Sequence, residues 1–115
     1  MSTFITTPTV RPVTAEEFEG EVLKAEQPVL VDVWASWCGP CLRLAPVVEK
    51  VAELFADRLK VVKCDLDSFP AIGSQYNLMS IPHLLFFKGG QLVTNHVGFL
   101  RESELTAKVE EFLAQ

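Results

Sequence analysis

The stretch Trp34-Ala35-Ser36-Trp37-Cys38-Gly39-Pro40-Cys41 lies where a continuous apolar run ends and two cysteines follow. The run that leads into it, Val29 to Ala35, is typical of a central strand covered on both faces of a sheet. From Pro40 onward, apolar residues recur at helical spacing. One helical turn brings the sulfurs of Cys38 and Cys41 within disulfide reach, and free amides at a helix N-terminus stabilise a thiolate. The stretch therefore predicts a strand-to-helix junction that carries a reversible dithiol.

Two cysteines at this spacing also occur in half a zinc site or by coincidence, so the neighbouring residues decide the interpretation. Pro40 suits an early helical position, where its missing N–H would be unpaired anyway, and Gly39 allows another backbone to approach the sulfurs. Trp37 is interpreted as an exposed apolar platform for a partner. The chain has no second Cys/His pair with ligand spacing, so we expect no metal and no cofactor.

Composition and length restrict the class of protein. With 115 residues, the chain fits one domain over residues 1–115. A net charge of −5 without a basic cluster argues against nucleic-acid binding. Apolar runs are far shorter than the ~20 residues of a membrane helix. The first dozen residues lack the features of a secretory signal, and three cysteines with one close pair suit a reducing compartment, so we expect a cytoplasmic monomer.

The N-terminal third predicts an arm, a strand and a helix in that order. Residues 1–9 lack periodicity and are expected to form a loose arm before a short strand near Val10 to Val13. Thr14 and Glu17 form the capping box of a first helix, which ends at Pro28.

The second half predicts three more strands. Leu59 to Asp65 is interpreted as a strand, and His83 to Lys88, Gly89-Gly90 and Gln91 to Val97 as an antiparallel hairpin. The full order is β-α-β-α-β-α-β-β-α. Right-handed parallel crossovers followed by a hairpin give an α/β fold with a mixed central sheet of five strands flanked by four α-helices.

Two helix starts each have competing cap interpretations in the sequence. Asp67 or Ser68 is expected to cap the short third helix. Arg101 stands at the cap position of the last helix but cannot accept an amide hydrogen bond, so fraying or a cap from Ser103 is expected there.

The octapeptide from Trp34 to Cys41 closely resembles the active-site signature of the thioredoxin family, and the likeness extends from about Val10 to the C-terminus. The element order is the one the thioredoxin fold shows. The resemblance implies a protein-disulfide reductase, an electron carrier that a thioredoxin reductase returns to the dithiol form. We assign Cys38, at the helix start, as the nucleophile that forms a mixed disulfide, and Cys41 as the resolving thiol.

Asp32 is unusual because a carboxylate in a buried strand is costly unless it is paired or protonated. It matches the family's buried aspartate, which implies a general acid/base that moves a proton to or from Cys41. A chance polar residue at a strand edge is the alternative. Lys63 matches the family's lysine near this aspartate, although an ordinary lysine at a strand end fits the residue equally well.

Resemblance also implies a substrate surface around Cys38. Pro82, after Ile81, matches the family's cis-proline, which pairs the preceding backbone with a substrate strand. Gly98 matches a family glycine whose loop leaves room for a partner to approach. Together with Trp37, these residues predict an apolar patch suited to extended protein segments.

Two further side chains have competing interpretations. His83 replaces the usual threonine after the cis-proline; as an imidazolium it could lower the pKa of Cys38, or it could be a solvent-facing strand histidine. Cys64 fits a small buried hydrophobe or a regulatory thiol. A different class of function also remains, a redox-inert module that binds partners through the surface around Trp37 and Pro82; intact Cys38, Cys41 and Asp32 argue against it.

Overall fold

A mixed five-stranded sheet forms the centre of the computed structural model, which describes residues 9–115. The predicted arm therefore lies outside the described residues, except for Thr9. The sheet order is β1-β3-β2-β4-β5. The strands are β1 (Arg11–Pro12), β2 (Val29–Trp34), β3 (Lys60–Asp65), β4 (His83–Lys88) and β5 (Gln91–Val97). Strand β2 pairs in parallel with β3 and antiparallel with β4, which confirms the predicted central strand and mixed sheet.

Four helices cover the two faces of the sheet. They are α1 (Ala15–Phe18), which continues as a π-helical turn over Glu19–Leu23, α2 (Gly39–Leu54), α3 (Ala71–Gln75) and α4 (Glu102–Ala114). The predicted order of elements is confirmed. Within residues 9–115, no helix is both long and apolar enough to cross a membrane.

Alternation along the strands divides the core into two layers. Leu30 packs between the sheet and helices α2 and α4, where it meets Leu44, Phe86 and Phe112. Its neighbour Val31 points to the opposite face, where α1 and α3 close the second layer. Burial on both faces explains why β2 is a continuous apolar run. Because side chains alternate along a strand, Asp32 shares the face of Leu30, which α2 covers.

The structure corrects both predicted helix caps. Helix α3 follows Pro70, whose φ of −63° already suits a helix, so neither Asp67 nor Ser68 caps it. Helix α4 begins at Glu102, directly after Arg101, and Ser103 does not cap it. Its capping interaction is made by the Glu104 carboxylate, which accepts the Arg101 N–H at 2.9 Å. A carboxylate in the first turn also faces the positive end of the helix dipole.

The Thr14 capping box is confirmed, and Thr14→Ala is expected to lower the free energy of unfolding by about 1 kcal/mol. The Thr14 hydroxyl accepts the Glu17 N–H at 3.3 Å, and the Glu17 carboxylate accepts the Thr14 N–H at 3.0 Å. Urea unfolding monitored by circular dichroism measures the change. Thr14→Ser keeps the acceptor and is the matched control; equal losses in the two variants would contradict a role for the hydroxyl.

The β4–β5 hairpin contains a bulge that changes its register. Lys88 pairs with Gln91 and Phe87 with Leu92 beside the Gly89-Gly90 turn, but Phe86 pairs with Thr94, which leaves Val93 unpaired. Both glycines have positive φ, as a two-residue hairpin turn requires. The extra residue moves every later β5 side chain to the opposite face from the one a regular hairpin would give it.

Candidate active site

The two cysteines of the motif form a disulfide at the start of α2. Cys38 is the N-cap residue, Gly39 and Pro40 open the helix, and the Cys41 N–H donates to the Cys38 sulfur at 3.1 Å. Both cysteines are buried in the oxidised protein, Cys38 slightly less than Cys41. A helix amide directed at the Cys38 sulfur stabilises negative charge on that atom when the bond is reduced.

The segment Ile81-Pro82 lies opposite the disulfide. The Ile81 carbonyl oxygen is 3.8 Å from the Cys38 sulfur, and the Ile81–Pro82 peptide bond is cis, as the resemblance implies. The Pro82 carbonyl accepts the Gly98 N–H at 2.8 Å. Gly98 has a φ of 98°, which favours glycine at this position. Ile81 therefore lies beside Cys38, and Gly98 is hydrogen-bonded to Pro82, the next residue along the chain.

An apolar groove of about 310 Å³ lies beside the motif, since Trp37 of the motif forms part of its lining. It is lined by Trp37, Leu66, Leu78, Met79, Ser80 and Ile81. The Trp37 side chain is 66% exposed, and its indole N–H donates to the Asp67 carboxylate at 3.0 Å, which fixes the ring beside the motif. Met79 is 94% exposed. Contiguous apolar side chains exposed to solvent are typical of interaction surfaces.

Asp32 is buried on the side of the sheet that α2 covers. It is 4% exposed, and its Oδ1 has no hydrogen-bond partner within residues 9–115. Burial raises the pKa of this carboxyl from 3.8 to about 7, although the positive charge of Lys63 partly opposes the shift. A group that gains and loses its proton near neutral pH can serve as a general acid or base. The alternative of a chance polar residue at a strand edge is wrong, because Asp32 is buried in β2, the central strand of the sheet.

Lys63 is the register partner of Asp32 on β3, so the two residues lie side by side in the sheet. Its ammonium lies 5.2 Å from the centre of the Trp34 ring. The lysine is half-buried, and its charge lowers the pKa of Asp32 without ionising it fully at neutral pH. Lys63 is therefore placed to moderate the cost of the buried carboxylate.

His83 does not face solvent, which corrects one of its two predicted environments. Its side chain is 6% exposed, and Nε2 lies 2.9 Å from the Asn95 side-chain oxygen on β5. Nδ1 is buried with no partner within the part of the chain that the structure describes. The imidazole shares the face of Leu85 and Phe87, opposite to the face of Asp32.

Comparison with known proteins decides the family. A model of the thioredoxin family, described as "Thioredoxin", matches residues 9–111. The chain belongs to the thioredoxin family. It is 46% identical over 101 residues to "Thioredoxin" of Acidithiobacillus ferridurans and to "Thioredoxin 1" of a Nostoc species, covering 88% of this chain and 94% of each relative. It is 40% identical over 105 residues to "Thioredoxin M-type, chloroplastic" of Spinacia oleracea, covering 91% of this chain and 58% of the relative.

Family membership and the Cys38–Cys41 disulfide together establish the activity. The protein is a thiol–disulfide oxidoreductase of the thioredoxin family, with protein-disulfide reductase activity. This outcome disfavours the redox-inert binding module. No group of three or more His, Cys, Asp or Glu side chains within residues 9–115 is arranged to hold a metal ion.

Three side chains beside the thioredoxin site were not predicted to belong to it. Asp67 binds the indole of Trp37, Met79 lines the groove, and Asn95 contacts His83. Only Met79 carried a signal in the sequence, because it precedes Ile81 in the loop before the cis-proline. The position of Asp67 depends on a turn and that of Asn95 on the β-bulge, and no short sequence motif predicts either feature.

Cys64 packs as the predicted small hydrophobe. It is fully buried in the layer that α1 and α3 cover, together with Val62 and Leu85. Burial, with a smaller contribution from the charge of Asp32, raises the pKa of the Cys64 thiol to about 12. A protonated and inaccessible thiol exchanges slowly with disulfides, which fits a packing role.

Proposed function

We propose that the protein reduces disulfides in extended segments of protein substrates, with Cys38 as the nucleophile, Cys41 as the resolving thiol and Asp32 as the proton acceptor and donor. The observation that carries the proposal is the Cys38–Cys41 disulfide at the start of α2, opposite the Ile81 carbonyl. Reduction of this disulfide gives the dithiol that begins the reaction.

In the first step, the Cys38 thiolate attacks one sulfur of the substrate disulfide. A bond forms between Cys38 and that sulfur, the substrate disulfide breaks, and the second substrate sulfur leaves as a thiolate that takes a proton. The N–H groups at the start of α2 favour Cys38 as this nucleophile because they stabilise its thiolate. Gly39 and Pro40 support the same role, since they form the first turn of the helix without crowding the sulfur.

In the second step, Cys41 loses its proton and attacks the Cys38 sulfur of the mixed disulfide. The substrate leaves with both sulfurs reduced, and the protein keeps the Cys38–Cys41 disulfide, so two electrons pass to the substrate. Asp32 accepts the Cys41 proton in this proposal. A pKa of about 7 supports the assignment because the carboxylate is then available near neutral pH yet basic enough to take a proton. Lys63 tunes that pKa.

The surface formed by Trp37, Ile81, Pro82 and Gly98 binds the substrate backbone and its apolar side chains. The groove lined by Trp37 and Ile81 is open and apolar, which suits an extended peptide better than a small polar molecule. His83, directly after Pro82, is assigned to the tuning of this site.

The cellular setting completes the proposal. The protein acts as a cytoplasmic monomer in electron transport, and a thioredoxin reductase returns it to the dithiol form. The chain has three cysteines: two form the active pair, and the third, Cys64, is buried. This cysteine usage supports a reducing compartment. The disulfide-containing substrates and the reductase are both protein partners.

The Cys41→Ser variant is expected to trap the mixed disulfide and tests the assigned order of attack. Without the resolving thiol, Cys38 stays bonded to the substrate, so non-reducing electrophoresis with a disulfide-bonded protein shows an adduct that dithiothreitol removes. Cys38→Ser is the matched variant and should form no such adduct. An adduct of equal yield through Cys41 would reverse the assignment of the two thiols.

A further inference from the structure

Strand β5 and Gly98, the residue that follows it, contact Pro82 and His83, two adjacent residues of the chain. The Gly98 N–H donates to the Pro82 carbonyl at 2.8 Å. One residue further along the chain, the buried His83 ring meets the Asn95 side chain at 2.9 Å. Both contacts reach Pro82 and His83 from the edge of the sheet that β5 forms beside β4. Pro82 and His83 are thus tied to β5 directly after Ile81, whose carbonyl faces Cys38.

The chemistry of the His83–Asn95 contact defines which atom donates. The Asn95 oxygen can only accept, so Nε2 of His83 carries the proton. Nδ1 is buried and has no partner within residues 9–115. Asn95 is exposed on the edge strand, and its amide is the partner of Nε2. In Asn95→Leu an apolar side chain takes the place of that amide, so neither ring nitrogen has a protein partner within residues 9–115, and an unpaired buried polar group is costly. The His83 side chain would then move toward water. Because Pro82 is joined to His83 by a peptide bond, that movement would also shift Pro82.

Asn95 reaches His83 only because of the bulge in the hairpin. Asn95 pairs with Leu85 and Val97 with His83, so the side chains of Asn95 and His83 share one face. In the regular register, which would continue from Lys88 and Gln91, Asn95 would point to the other face.

We propose that Asn95 is a positioning residue for protein substrates, which acts through His83 to hold Ile81-Pro82 in place over Cys38. The inference rests on the proposed role of Ile81 and Pro82 in substrate binding. Asn95 touches neither the sulfurs nor, in this proposal, the substrate. Its effect is on the binding of an extended protein segment, whereas a small disulfide reaches Cys38 without using that segment.

The test compares two substrates in the Asn95→Leu variant. With insulin as the protein disulfide, KM is expected to rise about fivefold, with kcat within about twofold of the wild type. With the small disulfide 5,5′-dithiobis(2-nitrobenzoate), kcat/KM is expected to stay within about twofold. The redox potential of Cys38–Cys41 is expected to be unchanged, because neither sulfur loses a contact. A variant that merely folds poorly would lose activity toward both substrates together.

Two control variants sharpen the result. Asn95→Asp keeps an oxygen that accepts the hydrogen bond from Nε2–H, so its KM for insulin is expected to stay near the wild-type value. Thr94→Val changes the neighbouring β5 residue on the opposite face and should leave both substrates unaffected. An unchanged KM in Asn95→Leu, or an equal rise in Asn95→Asp, would overturn the positioning role alone. A wild-type protein that fails to reduce insulin would overturn the proposed function and this inference with it.

Discussion

Cys38→Ser is expected to lower the rate of protein-disulfide reduction by at least roughly 1,000-fold, because it removes the nucleophile of the first step. A serine hydroxyl at the start of α2 is not ionised near neutral pH and cannot form the mixed disulfide. Reduction of insulin in the presence of dithiothreitol, corrected for the reaction without protein, measures the loss. Neither helix geometry nor the apolar groove can replace the missing thiolate.

Cys64→Ala is the matched control for the loss of a cysteine. Its thiol is buried on the other face of the sheet, so turnover should remain close to the wild-type value once the folded fraction is accounted for. A Cys38→Ser variant that retained full cellular function would instead favour a protein that acts by binding alone.

Asp32→Asn is expected to be more stable than the wild type at pH 8 by roughly 2 to 4 kcal/mol. The pKa of Asp32 is about 7 in the folded protein, whereas in the unfolded chain it is 3.8, the ordinary value of the group. Between these values the native state binds more protons, so the free energy of unfolding falls as pH rises. The stability contributed by the raised pKa is complete below pH 3.8 and is lost as pH passes through 7.

Urea unfolding of both proteins at pH 5 and pH 8 separates this effect from other titrations. The stability advantage of Asp32→Asn should grow by about 2 to 3 kcal/mol between the two pH values, since the amide does not titrate. Asp57→Asn removes an exposed carboxylate and is the matched control for the change in charge. The Asp32 variant should also resolve the mixed disulfide more slowly. A pH-independent difference in stability would contradict a protonated, buried Asp32.

Much of the fold could be predicted because its signals are local. The apolar run of β2, the capping box at Thr14 and the Gly89-Gly90 turn each depend on a few neighbouring residues. The two helix caps that were wrong show the limit of such signals. At α3 a proline with helical φ moved the start of the helix, and at α4 a carboxylate in the first turn replaced the capping hydroxyl.

Parts of the candidate site were equally local. Cys38 and Cys41 lie one helical turn apart, so their proximity follows from spacing alone. The apolar residues on both sides of Asp32 predicted its burial. In contrast, the contact between Trp37 and Asp67 joins residues 30 positions apart and requires the β3–α3 turn to fold toward the motif.

The sequence by itself determined a dithiol at a strand-to-helix junction, a carboxylate inside a buried strand and an antiparallel hairpin at the end of the sheet. Only the tertiary structure decided which β5 side chains face His83. One unpaired residue, Val93, shifts the pairing of β4 and β5, and because side chains alternate along a strand, that shift exchanges the two faces. Asn95 therefore reaches His83, while His96 lies on the opposite face. No local pattern encodes that choice, since it depends on how the whole hairpin packs against the rest of the sheet.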